Sequence, residues 1–257
     1  MYTAPRMWTG DDEDARRAWW TQVLAPPTVL LIAWVATRGE GISAFLSRLF
    51  LGMWIHELGH AVTAWFCGYA AVPGPWRTVM GEERSLLVGL LLGGTLAWAL
   101  LSAWRARNLP LLFAVGTLII LQFIGTVRIS TRSAHAAFSF GGDAGNLVLG
   151  PLLVLTFHLP REHPLKQRGL HWGFVVIGAF AFADVANQWR RAAGDLAEIP
   201  FGEIEGVGLS DASRLVEDFG WTERQLVSRY NTLATIALLA LASVHVLAVL
   251  RARRSRG

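Results

Sequence analysis

The chain has 257 residues, 53% of them hydrophobic and 16% charged, with a mean hydropathy of +0.39. Soluble domains carry roughly 25% charged residues, so too little polar surface remains to cover a water-facing core, and an integral membrane protein is indicated. The net charge of +4 comes without a basic face interleaved with aromatics, which argues against nucleic acid; the single cysteine, Cys67, excludes an internal disulfide and a cysteine-based zinc cluster.

Of the 23 basic residues, 22 are Arg and one is Lys166. They stand singly or in pairs beside apolar runs, where they anchor helix ends against anionic headgroups. So strong a bias to Arg suits a GC-rich bacterial genome and hence a bacterial inner membrane.

The acidic group Asp11, Asp12, Glu13 and Asp14 precedes the first apolar run. A cleaved signal peptide needs a short positive start, so this region reads as a retained tail or cap. A spanning helix needs about 20 largely apolar residues. Seven stretches qualify: 18–37, 45–67, 86–104, 109–128, 144–160, 169–189 and 231–250. The first holds Pro26-Pro27 and the fifth holds Pro151. Trp19, Trp20, Trp65, Trp104, Trp172 and Trp189 fall near proposed ends, as an interfacial aromatic belt requires. The expected fold is an all-α polytopic bundle of about six to seven spans, forming one domain over 1–257. Arg and Lys divide evenly between the two sides, so charge sets no orientation.

One polar segment, 190–230, is long enough to fold outside the bilayer as a connector. Ile199-Pro200-Phe201-Gly202, Gly206 and Gly208 read as turns. Ser210 is placed to cap a short amphipathic helix over 211–219 that Gly220 ends, and Thr222 with Gln225 fits a capping box opening the last helix. The segment is either a structured surface connector or a lid over a site.

The second apolar run contains His56-Glu57-Leu58-Gly59-His60. Histidines four residues apart on a helix lie about 40° apart around its axis, so both imidazoles reach one metal. Zinc accepts neutral imidazole and carboxylate ligands and keeps one position open in a catalytic site. Glu57, one residue after the first ligand, is placed to act as general base toward a water. Chance gives roughly 0.01 such patterns in a chain of this composition. An ionisable group within an apolar helix costs about 2.5–3.5 kcal/mol, so these side chains are not there for packing.

The motif and its setting resemble the site-2 protease family of intramembrane zinc metalloproteases, whose hallmark is His-Glu-x-x-His in a membrane helix. The resemblance rests on His56 to His60 and, more weakly, on Phe140-Gly141-Gly142-Asp143-Ala144-Gly145-Asn146. It implies a third zinc ligand from an Asp in a later segment, although the family's Leu-Asp-Gly triplet does not occur here. Two carboxylates compete. Asp143 opens the fifth run in a glycine-rich turn that could fold it inward, and its alternative role is a helix cap. Asp184, in Phe182-Ala183-Asp184-Val185-Ala186-Asn187, lies within the sixth run, where it could instead hydrogen-bond Asn187 or another helix. Asp143 is the favoured ligand. His135 is a candidate for an outer position near the metal; His158, His163 and His171 cluster around the fifth-to-sixth connection, and His245 lies in the last run.

These residues predict a zinc endopeptidase cutting membrane-embedded protein segments, with His56, His60 and Asp143 on the metal and Glu57 activating water. Its partners would be a substrate with a transmembrane segment and the lipid bilayer. Two other readings share the motif: a membrane zinc hydrolase acting on a lipid amide or ester, and a catalytically silent scaffold stabilised by its metal.

Overall fold

The computed structural model describes residues 10–39, 41–204 and 208–254, without the side chains of Asp11, Asp12 and Ala15. The tail before Gly10 and the proposed turn at Gly206 therefore lie outside the described residues. The fold is all-α apart from two small antiparallel sheets. Its helices are α1 (Gly10–Ala36), α2 (Ile42–Ser47), α3 (Met53–Phe66), α4 (Leu86–Arg105), α5 (Leu109–Phe123), α6 (Thr131–Leu155), α7 (Pro164–Gln167), α8 (Leu170–Gly194), α9 (Asp211–Glu217) and α10 (Glu223–Arg254). Strands β1 (Tyr69–Pro73) and β2 (Thr78–Arg84) form a hairpin after α3, and β3 (Glu203–Ile204) pairs with β4 (Gly208–Leu209).

Among the described residues, six helices are long and apolar enough to cross a membrane: α1, α4, α5, α6, α8 and α10. The run 45–67 is divided. It forms α2, a π-helical stretch Arg48–Gly52 and then α3. At 1.5 Å per residue α3 is only about 21 Å long. It is an inner helix, with Ala61 and Ala64 almost fully buried.

The predicted start of the fifth span is wrong. Residues 129–143 were expected as a loop with a turn at Gly141-Gly142, yet α6 begins at Thr131 and runs through both glycines. Ser130 caps it by accepting a hydrogen bond from Ser133 N. Glycine weakens an isolated helix by about 1 kcal/mol relative to alanine, and close packing outweighs that here. A Cβ on Gly59 would lie 2.3 Å from the Gly141 carbonyl oxygen, and one on Gly145 would lie 2.4 Å from Gly59 Cα. Helices α3 and α6 therefore cross backbone to backbone, as small residues permit between membrane helices. A second crossing, Gly150 on Gly178, joins α6 to α8.

Helix α10 packs along α6 in parallel. At one end Arg132 Nη2 donates to the Asp218 carbonyl at 2.9 Å, and at the other His158 Nε2 lies 3.1 Å from His245 Nδ1. The segment between α8 and α10 folds onto this frame. Ser210 Oγ accepts from Ser213 N and starts α9, while Gly220 adopts φ +73° just after it. Thr222 and Gln225 exchange side-chain and backbone hydrogen bonds at 2.9 and 3.2 Å, the expected capping box. Ala212 and Leu215 of α9 join the core formed by Leu147, Trp189, Leu226 and Tyr230.

Candidate metal centre

Helix α3 presents His56 and His60 one turn apart toward the glycine face of α6. A Cβ on Gly142 would lie 2.4 Å from His56 Cε1 and 2.6 Å from His60 Nε2, so only a glycine leaves room for both rings. The two Nε2 atoms are 3.1 Å apart. The third corner is Asp211, the first residue of α9, whose Oδ2 lies 3.2 Å from His56 Nε2 and 3.1 Å from His60 Nε2. His56, His60 and Asp211 thus form a group that could hold a metal ion.

The outer nitrogens are engaged as well. His60 Nδ1 is 2.7 Å from the Phe138 carbonyl, which can only accept, so that nitrogen carries the proton and Nε2 offers a lone pair. His56 Nδ1 faces Asp143 Oδ1 at 3.2 Å. A carboxylate there favours the same tautomer. With both Nε2 atoms unprotonated, the two rings and the carboxylate oxygen could hold a cation between them. His56, His60 and Asp211 would hold such an ion as three protein ligands, the number that a catalytic zinc site combines with one open position.

Asp143, the favoured third ligand, is therefore on the opposite side of the His56 ring from the triangle. It is held in the middle of rigid α6, and its Oδ2 accepts from Trp189 Nε1 at 2.7 Å. Its place is that of an outer carboxylate that orients a metal-binding histidine. Asp184 is also engaged elsewhere: Arg48 donates to it through Nε at 2.8 Å and Nη2 at 3.1 Å. A cavity of about 430 Å³ opens beside His56 and Asp211, with Arg48, Asp143 and Asp184 also in its wall.

Glu57 is buried on α3, one residue after His56. Helix geometry sets it about 60° around the axis from His60 and about 100° from His56. Thr78, at the start of β2, places its hydroxyl 2.7 Å from Glu57 Oε2 and 2.8 Å from the Glu57 carbonyl. The β1–β2 hairpin, not foreseen from the sequence, thereby fixes the Glu57 side chain.

The other histidines stay apart from the triangle. His135 stacks edge-on against Tyr69, His163 caps α7, and His171 packs near Phe157. Asp211 escaped the sequence reading because an acidic residue just after a capping Ser has an ordinary explanation in the helix dipole. The signal available was the connector itself, a polar segment long enough to fold back over the motif.

No protein-family model, no curated protein and no solved structure matches the chain.

Proposed function

We propose that the chain is a zinc-dependent intramembrane endopeptidase, and the observation that carries this reading is the convergence of His56 Nε2, His60 Nε2 and Asp211 Oδ2 at 3.1–3.2 Å, with Glu57 the residue after His56 on α3. Two histidines and one carboxylate are a donor set of catalytic zinc sites. The resemblance of His56 to His60 to the site-2 protease motif supports the same reading. When bound, zinc supplies Lewis-acid polarisation of a scissile carbonyl and of the attacking water.

The chain's own groups do the rest. Glu57 takes a proton from the water whose oxygen attacks the carbonyl carbon, and returns it to the amine nitrogen as the C–N bond breaks. The Thr78 hydroxyl holds the Glu57 carboxylate in one orientation. Asp143 would orient the His56 ring, whose Nε2 would hold the zinc. The cavity between Arg48 and Asp211 admits water and an unwound stretch of substrate, which a site within the bilayer requires. Asp211 belongs to the connector, so closing this segment over α3 completes the ligand set.

The test compares purified wild-type protein with Glu57→Gln on single-span peptides and on lipid extracts. Glu57→Gln is expected to keep zinc and fold but to cut peptides about 10²-fold more slowly or worse. Undiminished cleavage by that variant removes Glu57 from the mechanism. Turnover of lipids alone turns the reading to a lipid hydrolase, and no turnover with full zinc turns it to a scaffold.

A further inference from the structure

A groove of about 700 Å³ runs between α6 and α10, on a different face from the metal group. That volume lies within the range of small-molecule sites. Its lining changes character along its length. Where the two helices begin, Trp221 and Arg229 form the wall, and the Arg229 guanidinium carbon lies 3.8 Å from the centre of the Trp221 ring. Further along, Ala137, Leu233 and Ile236 form a mainly apolar channel beside Thr232, with Ile236 59% exposed.

The arginine side chain leans toward the start of its helix, as side chains on helices do. Its charge therefore stands just ahead of the apolar run 231–250, at the level where headgroups meet hydrocarbon. Stacking on Trp221 uses the flat face of the guanidinium. Its in-plane N–H fork remains suited to the oxygens of a phosphate. No carboxylate is among the residues lining the groove.

We infer that this groove is a binding site for an anionic glycerophospholipid of the surrounding bilayer, with the phosphate on Arg229 and one acyl chain along Ala137, Leu233 and Ile236. The charge of Arg229 and the apolar channel below it fit the two ends of one such molecule. A substrate helix would instead leave the guanidinium without an anion. This site is independent of the chemistry at the metal group.

The test titrates delipidated full-length protein in neutral detergent with phosphatidylglycerol or phosphatidylcholine of identical chains and counts retained lipid by native mass spectrometry. The wild type is expected to hold one phosphatidylglycerol about fivefold more tightly than phosphatidylcholine, the worth of one arginine near a headgroup. Arg229→Gln should erase that preference and Arg229→Lys should keep most of it. Ala137→Phe, which fills the channel, should weaken both lipids, and glycerol phosphate without chains should not compete. Equal binding of the two lipids by the wild type, or an undiminished preference in Arg229→Gln, overturns the assignment. Displacement by glycerol phosphate would make it a free-phosphate site, and displacement by a single-span peptide without lipid preference would make it a helix dock; either result also overturns it.

Discussion

Asp143 Oδ1 lies 3.2 Å from His56 Nδ1, on the side of the ring that faces away from His60 and Asp211. With Trp189 Nε1 donating to its other oxygen at 2.7 Å, this carboxylate is held between the indole and the His56 ring. In the proposed metal site it would act through His56. Asp143→Ala is therefore expected to keep one site per chain but weaken its affinity about 10–100-fold. Competition against a chelator of known affinity measures this. Unchanged affinity would leave Asp143 with a packing role only.

The Arg48–Asp184 pair predicts an asymmetric response. The Asp184 side chain is 4% exposed and that of Arg48 is 46% exposed. Arg48→Ala strands a buried carboxylate and should cost about 3 kcal/mol. Asp184→Ala leaves a guanidinium that water can reach and should cost about 1 kcal/mol or less. The double variant should recover most of the Arg48→Ala loss. Unfolding in detergent gives these values, and equal losses in the two single variants would contradict the described pairing.

Gly142→Ala should disturb the metal group while leaving the helices in place. The added methyl would meet both imidazoles, at 2.4 Å from His56 Cε1 and 2.6 Å from His60 Nε2. Gly94 of α4 has nothing within 4 Å of an added Cβ, so Gly94→Ala should be neutral or stabilising by up to about 1 kcal/mol. Metal content and thermal midpoint, read on both variants, separate the two effects. Full metal binding in Gly142→Ala would show that the rings have room to move.

Much of the fold was legible because hydropathy reads directly on helices that must satisfy their own backbone. Six of the seven apolar runs correspond to helices long and apolar enough to span, and the capping residues Ser210, Thr222 and Gln225 behave as their spacing implies. The glycines of 141–145 misled, because the same residue that breaks an isolated helix lets two helices touch. Local spacing anticipated that the rings of His56 and His60 would meet. It could not find Asp211, which comes from 151 positions beyond His60 and meets it only through the packing of α9 on α6. The hairpin that brings Thr78 to Glu57 was hidden because its strands are short, five and seven residues.

The most direct test is metal analysis of the detergent-purified chain beside its His56→Ala, His60→Ala, Asp211→Ala and Asp143→Ala variants. A group of two imidazoles and one carboxylate predicts about one zinc per wild-type chain. The first three variants should lose it under conditions where saturating zinc still fills Asp143→Ala. Zinc retained at wild-type affinity in Asp211→Ala, and lost in Asp143→Ala, would contradict the proposed ligand set and return the third position to α6.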